Sequence, residues 1–221
     1  MFMSYLTPAI ASSSIARMKG FHDDVVSLYQ EYDMDLLDNL GRRNIVMSQA
    51  QEKCFAAELS KHFEDVRNDG RTGEPDIFIG ELNKELECKL TSKHRSGSIS
   101  FQTDYETLSQ KGSLDFLYVI ADQSFSKFAV LHFEGLTTDD FRPVSPGSRG
   151  KVAMFKHKGM KKCTMLHGNF INNNDRELAK INKRLAEPFQ TQAAKKKVLA
   201  RKEYWLTTPA RYSFTLEEVS V

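Results

Sequence analysis

Leu114–Ala121, LDFLYVIA, is a near-continuous apolar run. A strand that is apolar on both faces has to be covered on both faces, so it belongs in the middle of a sheet between two layers. Lys127–Phe133 (KFAVLHF) reads as a further strand. Upstream, residues 21–40 predict a helix with Val25, Leu28, Tyr32, Leu36 and Leu37 along one stripe. Residues 45–63 predict a second, with Val46, Ala50, Phe55, Leu59 and His62–Phe63 on its apolar side. Helices alternating with strands in this order predict an α/β fold, a central mixed β-sheet flanked by helices.

The 221 residues suit one domain with at most a small appendage, long enough to bury roughly 70% of the unfolded surface without staples. No apolar run reaches membrane-spanning length, so no membrane partner is expected. The N-terminal segment lacks an early positive region and carries Pro8, which argues against a signal peptide. Cys54, Cys88 and Cys163 lie far apart and in no metal-binding spacing. Reduced thiols in the cytoplasm and no structural zinc are the expectation.

Several further elements are legible. Residues 98–111 predict a helix capped near Ser98 or Ser100 and ended by Gly112. Lys151–Phe155 and Met160–Leu166 predict a hairpin around His157-Lys158-Gly159. Helices are expected over about 175–187, with Leu178, Ile181 and Leu185 inward, and over 190–205. Residues 1–43 are set apart as an N-terminal helical extension, 44–135 as a core, and 136–221 as a basic hairpin with helices.

Chemistry concentrates on Pro75-Asp76 and, ten residues later, Glu87-Cys88-Lys89. Asp76–Ile79 and Lys84–Leu90 read as two strands of a hairpin around Gly80-Glu81-Leu82-Asn83. Residues two apart on a strand share a face, so Glu87 and Lys89 point one way, while Leu86, Cys88 and Leu90 point into the core. The hairpin sets Asp76 beside Glu87. Their mutual repulsion is relieved by a cation, and oxygen ligands without neighbouring Cys or His favour Mg²⁺, with Mn²⁺ as substitute.

This pattern resembles the signature of the PD-(D/E)xK nuclease superfamily, which includes type II restriction endonucleases, junction resolvases, and phage and repair nucleases. The resemblance covers about residues 50–135. It implies a metal-dependent endodeoxyribonuclease, most similar to a type II restriction enzyme, acting on double-stranded DNA as a homodimer. It further implies Asp76 and Glu87 as metal ligands and Lys89 as the residue that positions or deprotonates the attacking water. A helical Glu joins them in many members; Glu52 matches better than Glu58. The backbone carbonyl of Cys88 is a further implied ligand, and Gln102, with Tyr105, resembles a residue type found after the motif strand. A phage, repair or junction nuclease, or a non-catalytic DNA-binding module, is the alternative.

Charge is unevenly spread. Residues 1–150 carry 16 Lys and Arg against 23 Asp and Glu, whereas residues 151–221 carry 15 against 6. A basic C-terminal third suits a polyanion. Candidate DNA contacts are Lys93 and Arg95 (with His94) just after the motif, Gln102, and Lys156, Lys158, Lys161 and Lys162 on the later hairpin. Lys195, Lys196, Lys197 and Arg201 supply others on the last helix.

Overall fold

The structure, a computed structural model, describes residues 4–70, 74–92, 99–145 and 150–219. Lys93, His94 and Arg95 lie outside the described residues. In chain order the elements are α1 (Pro8–Glu31), α2 (Leu40–Leu59), β1 (Val66–Arg67), β2 (Ile77–Ile79), β3 (Lys84–Ser92), β4 (Gln102–Asp104), α3 (Tyr105–Lys111), β5 (Leu114–Ala121) and β6 (Lys127–Leu136). There follow β7 (Lys151–Ala153), α4 (Lys156–Gly159), β8 (Cys163–His167), β9 (Asn169–Asn172), α5 (Asn173–Leu185), α6 (Gln192–Thr207), β10 (Tyr212–Thr215) and β11 (Glu217–Glu218). Among the described residues no helix is long and apolar enough to cross a membrane.

The chain divides into two compact units. The first runs to Asn169 and resumes at Thr215. Its sheet has the order β1-β2-β3-β5-β6-β11, with β8 also on β6. Among the described residues only β3 and β5 pair in parallel, so the sheet is mixed, and with α1 and α2 packed against it the unit is the α/β architecture the sequence predicts. All eight residues of β5 are buried, as its apolar run requires. The second unit, Phe170–Phe214, joins α5 and α6 with a β9–β10 ribbon on which Phe170 meets Tyr212 and Phe214.

One face of the main sheet presents Ile77, Ile79, Leu86, Cys88, Leu117 and Val119 to α1 and α2. Residues assigned from sequence to an extension thus supply Ile10, Ala11, Ile15 and Met18 to this core. The helix begins at Pro8, where the Thr7 side chain accepts from the Ile10 N–H and proline needs no donor. The stripe predicted from Val25, Leu28 and Tyr32 is therefore corrected: Leu28 and Tyr32 are exposed, and the buried face is Ile10, Ile15, Met18 and His22, one to two turns earlier.

Two further expectations are overturned. The helix expected over 98–111 begins only at Tyr105, because Phe101 and Thr103 are buried while Gln102 and Asp104 are exposed. That is strand alternation, and Asp104 then caps α3 by accepting from the Thr107 N–H. The hairpin expected over 151–166 does not form. β7 pairs with β4 and β8 pairs with β6, since Met154 and Met160 turn inward around the short α4.

At one edge of the core, a single chain of donors runs through buried His132. The Ser4 hydroxyl lies 3.0 Å from its Nδ1, and its Nε2 lies 3.2 Å from the Tyr5 oxygen. Tyr5 donates to Asp115 at 3.1 Å, and Lys84 holds the same carboxylate. Because Tyr5 donates onward, Nε2 carries the imidazole proton. Burial, opposed by Asp115 and assisted by Lys84, lowers the His132 pKa to about 4. Histidine is neutral in both states above pH 6.5. Between pH 6.5 and 4 the unfolded chain takes up a proton that the folded chain refuses. Stability is therefore lost as pH falls across that window, by about 3 kcal/mol. Urea unfolding of wild type and His132→Gln at pH 7 and pH 4 checks this; equal losses in both proteins would remove His132 as the acid trigger.

Candidate metal centre

The β2–β3 hairpin turns through Asn83, whose left-handed backbone (φ 48°) suits asparagine. Ile77 pairs with Leu86, Phe78 with Glu85 and Ile79 with Lys84. Asp76 directly precedes β2, and its carboxylate accepts from the Cys88 N–H, which brings its charge to bear on that of Glu87. Cys88 and Leu86 point into the core, whereas Glu87 and Lys89 are only part-buried on the other side. On the neighbouring strand Glu87 pairs with Phe116 and Lys89 with Tyr118. These rings belong to an aromatic layer with Phe101 and Phe133, so the acidic cluster sits beside an apolar wall.

That setting decides the ionisation. Burial, and then the charge of Glu87, raise the Asp76 pKa to about 6, although the Cys88 N–H donates to Oδ2 at 2.7 Å. Burial also raises Glu52 above its ordinary value. Burial acts against charge on Lys89 as well, but the attraction and hydrogen bond of Glu87, assisted by Asp76, outweigh it and hold the ammonium above its ordinary value. Of the two roles the motif left open for Lys89, this protonation state suits the cationic positioning role.

Glu52, on α2, lines a cleft of about 890 Å³ together with Asp76, Asn68, Glu74, Arg17 and Lys53. The rival Glu58 is buried one and a half turns on and bound to Arg17 and Lys61. It braces α1 against α2. Asn68, just after β1, donates through its amide to both Glu52 Oε2 (3.4 Å) and the Asp76 carbonyl (2.5 Å). Nothing in the local sequence marks it, because its partners come from α2 and from the residue just before β2.

The donor set suits a hard cation. Among the described residues no three His, Cys, Asp or Glu side chains close into a cage. Mg²⁺ does not need one, since it keeps several waters and binds through one or two carboxylates. Asp76 and Glu87 would provide those, with Glu52 lining the same cleft as Asp76. In an extended strand a residue's carbonyl faces the same side as its N–H, so the Cys88 carbonyl points the way of the N–H that bonds Asp76. The Cys88 thiol is buried in the core and, like Cys54 and Cys163, is free of any disulfide.

The candidate DNA contacts fall into three groups. Gln102 is exposed on β4, its backbone carbonyl accepting from Tyr118 at 2.8 Å, and Lys156 reaches over the Phe101 ring at 5.8 Å. Burial lowers the Lys156 pKa. Both therefore border the aromatic layer. Lys158 donates to the Asp139 carbonyl, and Lys162 to the Gly135 carbonyl and Asp140, so these two also tie α4 and the following turn to the end of β6; Lys161 is exposed. In the second unit Lys195, Lys196 and Lys197 are exposed on α6, and Arg201 is paired with Glu177 at 2.7 Å.

No protein-family model matches the chain, and no curated protein or solved structure gives a significant match.

Proposed function

We propose that the chain is a Mg²⁺-dependent endodeoxyribonuclease of the PD-(D/E)xK type, similar to a type II restriction enzyme and acting on duplex DNA as a homodimer. The observation that carries the reading is the Asp76 carboxyl, bound to the Cys88 N–H and pushed up to about 6 by burial and the charge of Glu87, with a cationic Lys89 paired to Glu87. Two carboxylates held together against their own repulsion favour a divalent cation over empty space. Three thiols without a disulfide accord with a reducing, cytoplasmic setting.

In this reading Asp76, Glu87 and the Cys88 carbonyl would hold Mg²⁺ or Mn²⁺, with Glu52 lining the same cleft as Asp76. Such an ion would supply a water of lowered pKa and positive charge at the phosphate. Lys89 orients the attacking water and offsets charge that builds on the non-bridging oxygens. The aromatic layer beneath Glu87 and Lys89 excludes bulk water and strengthens both effects. Gln102, Lys156, Lys158, Lys161 and Lys162, and separately Lys195, Lys196, Lys197 and Arg201, supply phosphate contacts.

Incubation with plasmid and phage DNA tests the proposal. Discrete fragments with Mg²⁺ that vanish with EDTA are expected; a smear would indicate cleavage without sequence preference. Lys89→Met and Glu87→Gln should each slow cutting by at least about 10²-fold while DNA binding persists. DNA left intact across Mg²⁺ and Mn²⁺ concentrations would overturn the reading.

A further inference from the structure

We propose that Asn68 is a positioning residue of the metal centre, holding the Glu52 carboxylate and the Asp76 backbone together on one amide. This rests on the nuclease reading of the same cluster. Asn68 lies directly after β1 and is anchored to α2 twice: Lys53 donates to its carbonyl at 2.8 Å, and its own Nδ2 donates to Glu52. The same nitrogen donates to the Asp76 carbonyl at 2.5 Å.

The orientation of the amide is set by those partners. A backbone carbonyl only accepts, so the nitrogen must face Asp76, and Oδ1 must face away. There Oδ1 is buried and finds no donor among the described residues. A buried carbonyl oxygen left without a hydrogen bond is costly, and folded chains keep few of them. What the residue gains lies wholly on its nitrogen side, where one NH₂ group joins the helix carrying Glu52 to the residue carrying the Asp76 carboxylate. Glu52 and Asp76 come from elements separated in sequence, and Asn68 is the described side chain that bonds to both. Removing it leaves the Glu52 carboxylate without the bond that ties it to the loop before Asp76.

The test is Mn²⁺ titration, followed by the spectrum of the free ion, on four proteins: wild type, Asn68→Ala, Glu52→Gln and the double variant. Asn68→Ala should weaken Mn²⁺ about tenfold or more, as loss of a residue supporting a ligand does. In the Glu52→Gln background the same change should cost less than in wild type, because part of what Asn68 does acts through the Glu52 carboxylate. Asn68→Leu, of similar shape and without the orphaned oxygen, repeats the measurement should the alanine variant fold poorly. The Mg²⁺ concentration for half-maximal cutting should rise in parallel. Wild-type affinity in both Asn68 variants, or full additivity with Glu52→Gln, would overturn the role of Asn68 alone. Wild-type protein that binds no Mn²⁺ would overturn the metal centre itself, and this inference with it.

Discussion

Asp76→Asn is expected to abolish cutting and at the same time to stabilise the fold. On the proposed nuclease reading, loss of a carboxylate that would hold the metal should slow hydrolysis on the order of 10³-fold or more. The stability gain follows from linkage. Asp76 titrates near 6 in the folded chain, because burial and Glu87 oppose its charge, against an ordinary value of 3.8. A group whose folded pKa is raised contributes stability that is fully present below the unfolded pKa and is lost as pH rises through the folded one. At pH 8 the ionised carboxylate therefore costs the fold about 3 kcal/mol at most, and about 1–3 kcal/mol allowing for partial exposure. Asparagine carries no charge, and its side-chain oxygen can still accept from the Cys88 N–H.

Urea unfolding in EDTA should show Asp76→Asn ahead of wild type at pH 8, the gap closing towards pH 4. Added Mg²⁺ should then raise the wild-type midpoint alone, by the ordinary mass action of a ligand bound only to the folded state. An unchanged gap between pH 8 and pH 4, or wild-type cutting by the variant, would contradict both the electrostatics and the role.

Arg43→Ala should be the most damaging substitution to folding outside the apolar core. Arg43 sits in the first turn of α2 and is fully buried. Its guanidinium donates to the carbonyls of Asp122 and Gln123 in the β5–β6 turn, to Ser92 at the end of β3 and to Asn44. It also lies 5.1 Å from the Phe125 ring centre. Burial lowers its pKa, opposed by Asp122, yet arginine remains charged. Alanine leaves a cavity and strands buried acceptors, for a loss of about 3–5 kcal/mol. Arg43→Lys should recover little, because one ammonium cannot reach acceptors spread over two strand ends and a turn. The measurement is the urea midpoint with an unchanged slope. A loss below about 1 kcal/mol would show that the network is dispensable.

The parts of this protein that were legible in the chain share one property: their physics is local. β5 announces itself because eight neighbouring residues are almost all apolar. The separation of Glu87 and Lys89 from Leu86 and Cys88 follows from the two-residue period of any strand. The approach of Asp76 to the strand carrying Glu87 needs only a short hairpin. The misreadings began where the deciding partner lay elsewhere. The 25–37 stripe has helical spacing, but burial of α1 is set by which turn meets α2 and the sheet. The segment 151–166 has hairpin punctuation, but β7 finds β4 and β8 finds β6.

The amino-acid order by itself determined the mixed α/β architecture and the acidic hairpin with its lysine, because periodicity and turn chemistry act between near neighbours. Tertiary structure alone decided that Glu58 is taken up by Arg17 and Lys61, that Asn68 joins Glu52 to the Asp76 backbone, and that an arginine of α2 is buried on carbonyls far along the chain. Those choices depend on which surfaces lose water together, and desolvation is a property of the packed molecule.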